Sequence, residues 1–208
     1  MKIAIIGTQN NGKSTLIEEF KKTWPMYKQP EKTYRDFIAE KGIKHSQEGT
    51  KESQRDILNA IVDESQHAIA TGDEHIIFDR CAIDNIAYTL WLNQSGEVSD
   101  EFVIDSKHIA MEAIKLLDII FYLPLREEIK MKPREGRSDD PVYREEIDNI
   151  FRALVGSYEK QTGAFFSKED SPAVITLEGP PDMRCQQIKL YVKDNGKFFD
   201  EKDGSLLS

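Results

Sequence analysis

The chain has 208 residues, of which 39% are hydrophobic and 31% charged, enough apolar content for one soluble domain with its own core, although two small domains also fit. A net charge of −9 argues against a surface built wholly for nucleic acid or anionic membrane, because such binding needs clustered Lys and Arg; a local basic cleft stays open. The two cysteines, Cys81 and Cys185, lack metal-ligand spacing, no apolar run approaches the roughly 20 residues that span a bilayer, and nothing at the N-terminus resembles an export signal. The expectation is a cytoplasmic protein with free thiols and no membrane contact.

In chain order, Ile3-Ala4-Ile5-Ile6 reads as a buried parallel strand stopped by Gly7. A helix is expected from Lys13 to Thr23, with Leu16, Ile17 and Phe20 as its apolar stripe and Pro25 beyond its end. A short strand entering from Tyr27 would bring Glu31 to its end. Three further apolar runs follow: Ile76 to Phe78 before Asp79, Ile119 to Leu123 before Pro124, and Ala173 to Leu177 before Glu178-Gly179-Pro180-Pro181. Helical patterns lie between them at Ser53–Ala70, Asp84–Leu92, Glu101–Leu117, Tyr143–Phe166 and Asp182–Val192. This alternation predicts an α/β three-layer sandwich, a five-stranded parallel sheet flanked by helices. One domain is expected over 1–193, with a basic segment at about 126–144 that could act as a lid. The tail, 194–208, is expected to be partly disordered, with Phe198 and Phe199 docked on the body.

Gly7-Thr8-Gln9-Asn10-Asn11-Gly12-Lys13-Ser14 stands between the first strand and the first helix. Glycines at its ends let the backbone turn its N–H groups inward, and the helix adds its positive end, so the loop suits the phosphates of ATP or GTP. Lys13 reaches the β- and γ-phosphates and Ser14 ligates Mg²⁺ in this reading. Gly7, Asn10, Asn11, Gly12 and Thr15 complete the nucleotide contacts. A switch GTPase is disfavoured: it needs an Asn-Lys-x-Asp signature after a later strand, where this chain has Tyr122-Leu123-Pro124-Leu125-Arg126.

Asp79-Arg80 closes a strand at the carboxyl edge of the sheet, where open α/β folds bind ligands. Asp79 can position Mg²⁺ through water or accept a proton from the attacking hydroxyl, and Arg80 can hold phosphate; the alternative is an ion pair capping a strand. Glu31 and Arg35 stand four apart, as an acceptor-side base or sugar ligand with its partner, or as ordinary helix-surface decoration. Arg126, Lys130, Lys132, Arg134, Arg137 and Arg144 crowd one stretch broken by Pro133, Gly136 and Pro141. Arginines carried on a closing lid stabilise a phosphoryl group in flight and exclude water. Arg134 and Arg137 are the first candidates, Arg126 and Arg144 the next; a solvated basic loop is the alternative.

Glu31-Lys32-Thr33-Tyr34-Arg35, Phe78 to Tyr88, Glu135-Gly136-Arg137 and Ile175 to Gly179 resemble, in that order and spacing, the P-loop kinase-like ATPase family. That family includes the nicotinamide riboside kinase domain of the bacterial NAD-biosynthesis regulator and many small phage-encoded proteins, and is related to deoxynucleoside kinases and thymidylate kinase. The resemblance implies that Lys13 and Ser14 bind ATP phosphates and Mg²⁺ and that Glu31 and Arg35 form the acceptor motif. It implies further that Asp79 and Arg80 are the strand-end pair, that Arg137 is the lid arginine, and that Gly179 to Asp182 packs on adenine. Cys81 departs from the aromatic or acidic residue that several relatives carry there, which leaves the acceptor unread. No DNA-binding or nucleotidyltransferase segment accompanies these motifs, so a bifunctional regulator is not expected.

The expected activity is ATP-dependent phosphoryl transfer to a nucleoside or a nucleoside monophosphate, with Glu31 or Asp79 as base. A kinase acting on DNA or a modified base, and a nucleotide-binding regulatory module without transfer, are the alternatives. Helices between Asp84 and Leu117 are apolar enough for a homodimer.

Overall fold

The computed structural model describes residues 1–43, 46–126, 140–160 and 172–199. Its strands are β1 Lys2–Ile6, β2 Ile76–Asp79, β3 Ile119–Tyr122 and β4 Ala173–Thr176, all parallel, in the order β2-β1-β3-β4. The helices are α1 Lys13–Thr23, α2 Tyr34–Lys41, α3 Lys51–Ala70, α4 Ala82–Gln94, α5 Asp100–Ile114, α6 Pro141–Glu159 and α7 Pro181–Ile188.

Successive side chains on a strand point to opposite faces, and here both faces are covered. Ala4, Ile6, Ile76, Phe78, Ile120 and Tyr122 pack with α3, α4, α5 and α6, whereas Ile3, Ile5, Ile77, Ile119 and Phe121 pack with α1 and α7. The result is the expected three-layer sandwich.

Among the described residues the sheet has four strands rather than five. The expected strand after Tyr27 shrinks to one bridge, Lys28 beside Ile76, in which Lys28 N–H donates to His75 O and Ile77 N–H donates to Lys28 O. Pro25 and Pro30 flank it closely, and a residue without an N–H cannot extend a ladder.

α1 matches its expected bounds, and the other long helices differ by a few residues at their ends. α4 begins two residues early because Asp84 accepts from Cys81 N–H at 3.1 Å, closing a capping box on Cys81. α6 begins at Pro141 because the Asp140 carboxylate accepts from Val142 N–H and Tyr143 N–H at 2.9 and 3.3 Å. The final residues of the expected Tyr143–Phe166 helix lie outside the described residues. α2 was not expected; it has no fully buried residue and starts from a Thr33–Asp36 capping box.

In the tail, Phe198 is exposed and Phe199 is half-buried beside Lys193, while Tyr27 Oη–H donates to Gly196 O at 2.7 Å and Trp24 Nε1–H donates to Lys193 O at 2.8 Å; residues 200–208 lie outside the described residues. Gly196, at φ +75°, lies so close to Tyr27 and His75 that a Cβ there would sit 3.1 Å from each ring.

Candidate active site

The carboxyl ends of β1 and β2 place the phosphate loop and Asp79 side by side. Gly7 has φ +137°, and a Cβ there would lie 2.5 Å from the backbone oxygen of Leu123, so only glycine fits. Gly12 (φ +82°) caps α1, and Asn10 holds a left-handed conformation at φ +55°. Asn11 Nδ2 donates to Leu123 O at 2.6 Å, tying the loop to the end of β3. Lys13 is buried, and its Nζ donates to Gly7 O and Thr8 O, each at 2.6 Å. Burial, and then the neighbouring Arg80, hold the Lys13 ammonium well below the usual lysine range, against the pull of Asp84 and Asp79.

Asp79 is the hub. Its Oδ2 accepts from Ser14 Oγ–H at 3.0 Å and pairs with Arg35 Nη1 at 2.9 Å. Its Oδ1 is buried with no hydrogen-bond partner among the described residues. Burial pushes this carboxyl up, but Arg35, Lys13 and Arg80 outweigh it and it titrates below the usual carboxylate range. The orphaned oxygen beside the Ser14 hydroxyl fits a small hard cation. Among the described residues no group of three or more His, Cys, Asp or Glu could hold a metal ion by itself.

Arg80 reaches toward α4. At φ +89°, a strained conformation for a residue with a side chain, it sends Nη1 to Asp84 Oδ1 at 3.0 Å and Tyr88 Oη at 3.4 Å. The same Asp84 Oδ1 accepts from Gly7 N–H at 3.4 Å, so one buried carboxylate joins α4, the strand-end arginine and the first glycine of the loop.

On α2, Arg35 Nε–H donates to Tyr34 Oη at 3.2 Å. Tyr34 N–H, the first amide of α2, donates to Glu64 Oε2 on α3 at 2.7 Å. Burial raises the Glu64 carboxyl to about 7, and Tyr34 N–H and Arg35 only partly offset it. Hydrogen bonds and ion pairs therefore join Ser14, Asp79 and Arg35 in one cluster and Lys13, Gly7, Asp84 and Arg80 in a second beside it, and the two together make up the candidate site. Glu31 does not join it: it is exposed in the loop before α2. Thr15 is exposed on the first turn of α1, and Gly179 (φ +85°) makes the turn from β4 into α7. Arg134 and Arg137 lie outside the described residues.

Arg144 takes a place other than the expected one on the lid. It is buried on α6, donating through Nε to Gln9 O at 3.2 Å and through Nη2 to Asn10 O at 3.4 Å. Sequence reasoning also missed Glu64, Asp84 and Arg184. Only Asp84 left a trace, as the acidic residue three places after Cys81 in a cap pattern.

The fold recurs in solved structures. A deoxyadenosine kinase from M. mycoides, solved with dCMP and dCDP, is similar over 90% of this chain and 96% of that one, with a TM-score of 0.60 and 20% identity. NadR protein in complex with NR gives a TM-score of 0.57 at 18% identity over 89% of this chain, which spans about half (46%) of the NadR chain. Thymidylate kinase from Candida albicans gives 0.57 at 18% identity over 90% of this chain and 88% of that one. No curated protein matches the sequence. The profile of the AAA domain family matches residues 2–162, more than half of the chain. The chain belongs to the AAA domain family.

Proposed function

We propose that the chain is a kinase that moves the γ-phosphate of ATP to a nucleoside or a nucleoside monophosphate. The observation that carries this reading is the Asp79 hub, where one carboxylate touches both Ser14 of the phosphate loop and Arg35 of the acceptor side. Arg35 beside the strand-end carboxylate would give an incoming acceptor a cationic contact close to the donor phosphates. The kinases and the NR-bound NadR that share the fold support the same reading.

In this account the amides of the loop and Lys13 hold the donor phosphates, with Asn10, Asn11 and Thr15 beside them and Gly179 against the base. Ser14 and Asp79 hold Mg²⁺, which neutralises charge on the β- and γ-phosphates when bound. Arg35 binds the acceptor, and Arg80, fixed by Asp84, keeps positive charge beside the path of the phosphoryl group. Asp79 or Glu31 receives the proton of the attacking hydroxyl, and Arg137 with Arg134 screens the transferring group from water. A homodimer through α4 and α5 is compatible with this arrangement.

The test is a panel in which purified protein, γ-labelled ATP and Mg²⁺ are offered ribo- and deoxynucleosides, their monophosphates, nicotinamide riboside and DNA ends. Label on a nucleoside or monophosphate supports the proposal. Label on DNA alone moves the acceptor to nucleic acid, and ATP binding with no labelled acceptor leaves a nucleotide-binding regulatory module.

A further inference from the structure

A loop that turns its N–H groups toward a ligand turns its carbonyls the other way, because a planar trans peptide sets the C=O of one residue opposite the N–H of the next. The carbonyls of residues 7 to 12 therefore need donors on the protein side of the loop, because a buried acceptor left without a partner is costly. Every one has a donor. Gly7 O and Thr8 O accept from Lys13 Nζ at 2.6 Å each, and Gly12 O accepts from Leu16 N–H at 3.0 Å as part of α1. Gln9 O and Asn10 O accept from Arg144, and Asn11 O accepts from Arg184 Nη1 at 3.1 Å.

The two arginines come from different helices, α6 and α7, and both are nearly inaccessible, at 5% and 1% exposure. Burying a guanidinium is costly without compensation. Arg184 shows the cost: its Nε and Nη2 find no partner among the described residues, and burial together with nearby Arg126 pulls its pKa down. Both side chains direct guanidinium N–H groups at the loop carbonyls. Arg184 also lies against the second glycine, with Nη1 3.5 Å from where a Gly12 Cβ would be.

We propose that Arg144 and Arg184 are positioning residues for the phosphate loop: they hold the carbonyls of Gln9, Asn10 and Asn11 outward and so aim the N–H groups of residues 10 to 12 at the incoming phosphates. The division of labour with Lys13 follows. Lys13 must leave Gly7 O and Thr8 O to reach a phosphate, whereas the two arginines stay in place and keep the remaining peptides oriented. Their positive charge, set behind the loop, also polarises those peptides toward an anion. The proposal rests on the reading that a nucleoside polyphosphate occupies the loop.

The experiment measures ADP affinity by titration calorimetry on wild type, Arg144→Met, Arg184→Met, Arg144→Lys and Arg184→Lys, at a temperature where each is folded by circular dichroism. A side chain that only supports the fold lowers the melting temperature and leaves the affinity of the folded protein unchanged. The expected result is a loss of about tenfold or more for each Met variant. Arg184→Lys restores most of the affinity because one Nζ can make its single bond; Arg144→Lys, able to make one of two, falls between. Amide exchange at residues 10 to 12 without nucleotide should quicken in the same order. Met variants that fold and bind ADP within twofold of wild type overturn the proposal; if they do not fold, an Arg144→Lys affinity within twofold of wild type overturns it. Wild type that binds no ADP sinks the kinase reading and this inference together, whereas equal binding by wild type and variants sinks this inference alone.

Discussion

Replacing Arg35 with Gln should tighten divalent metal binding while weakening the acceptor. The guanidinium pairs with Asp79 Oδ2 at 2.9 Å, the oxygen that also holds the Ser14 hydroxyl, so a metal arriving with nucleotide competes with Arg35 for its ligand. At an effective dielectric of about 20 the bare attraction at this distance is on the order of 6 kcal/mol. The Arg35 side chain is 37% exposed against 12% for Asp79. Water screening and the entropy of fixing a long side chain reduce the net value to about 1 kcal/mol. Arg35→Gln should therefore bind Mn²⁺, as a spectroscopic stand-in for Mg²⁺, about fivefold more tightly in the presence of ADP, by paramagnetic resonance titration. Its acceptor KM should rise at the same time. Metal affinity equal to or weaker than wild type refutes the competition.

Gly7→Ala should lose ADP binding and at least about 2 kcal/mol of stability, seen as a lower denaturant midpoint, because the new carbon meets the Leu123 oxygen at 2.5 Å and φ is +137°. Glu64 prefers its proton in the folded state, from an ordinary 4.5 up to about 7, so its contribution falls as pH rises through that window. Glu64→Gln should thus gain about 2 to 3 kcal/mol on wild type between pH 4.5 and pH 8, by denaturation at both; an unchanged difference removes Glu64 from the acidic transition. Arg137→Ala should depress turnover far more than ATP binding, and equal losses in both reject a role confined to the transition state.

Much of the donor side was legible because its chemistry is local. The loop from Gly7 to Ser14 needs its glycines at fixed offsets, and the apolar runs of β1 to β4 announce strands covered on both faces. The fifth strand failed because prolines on either side of Lys28 leave too few N–H groups, a fact the apolar pattern does not register. α2 was hidden because its stability comes from a cap and from Glu64, thirty residues away in sequence, rather than from an apolar stripe. Arg184 was illegible, and Arg144 was expected on the lid instead, because the sequence does not say which backbone a helical arginine meets until tertiary structure carries it onto a loop more than a hundred residues away. Asp79 and Arg80 were foreseen as a pair, yet the structure separates them, Asp79 onto Ser14 and Arg35, Arg80 onto Asp84.

The measurement that bears most directly on the central claim is a single turnover of γ-labelled ATP on excess enzyme, with and without a nucleoside or nucleoside monophosphate. The account predicts that label passes to the acceptor much faster than it appears as inorganic phosphate, and that Asp79→Asn suppresses the transfer. Label released only to water, at a rate no acceptor changes, contradicts it.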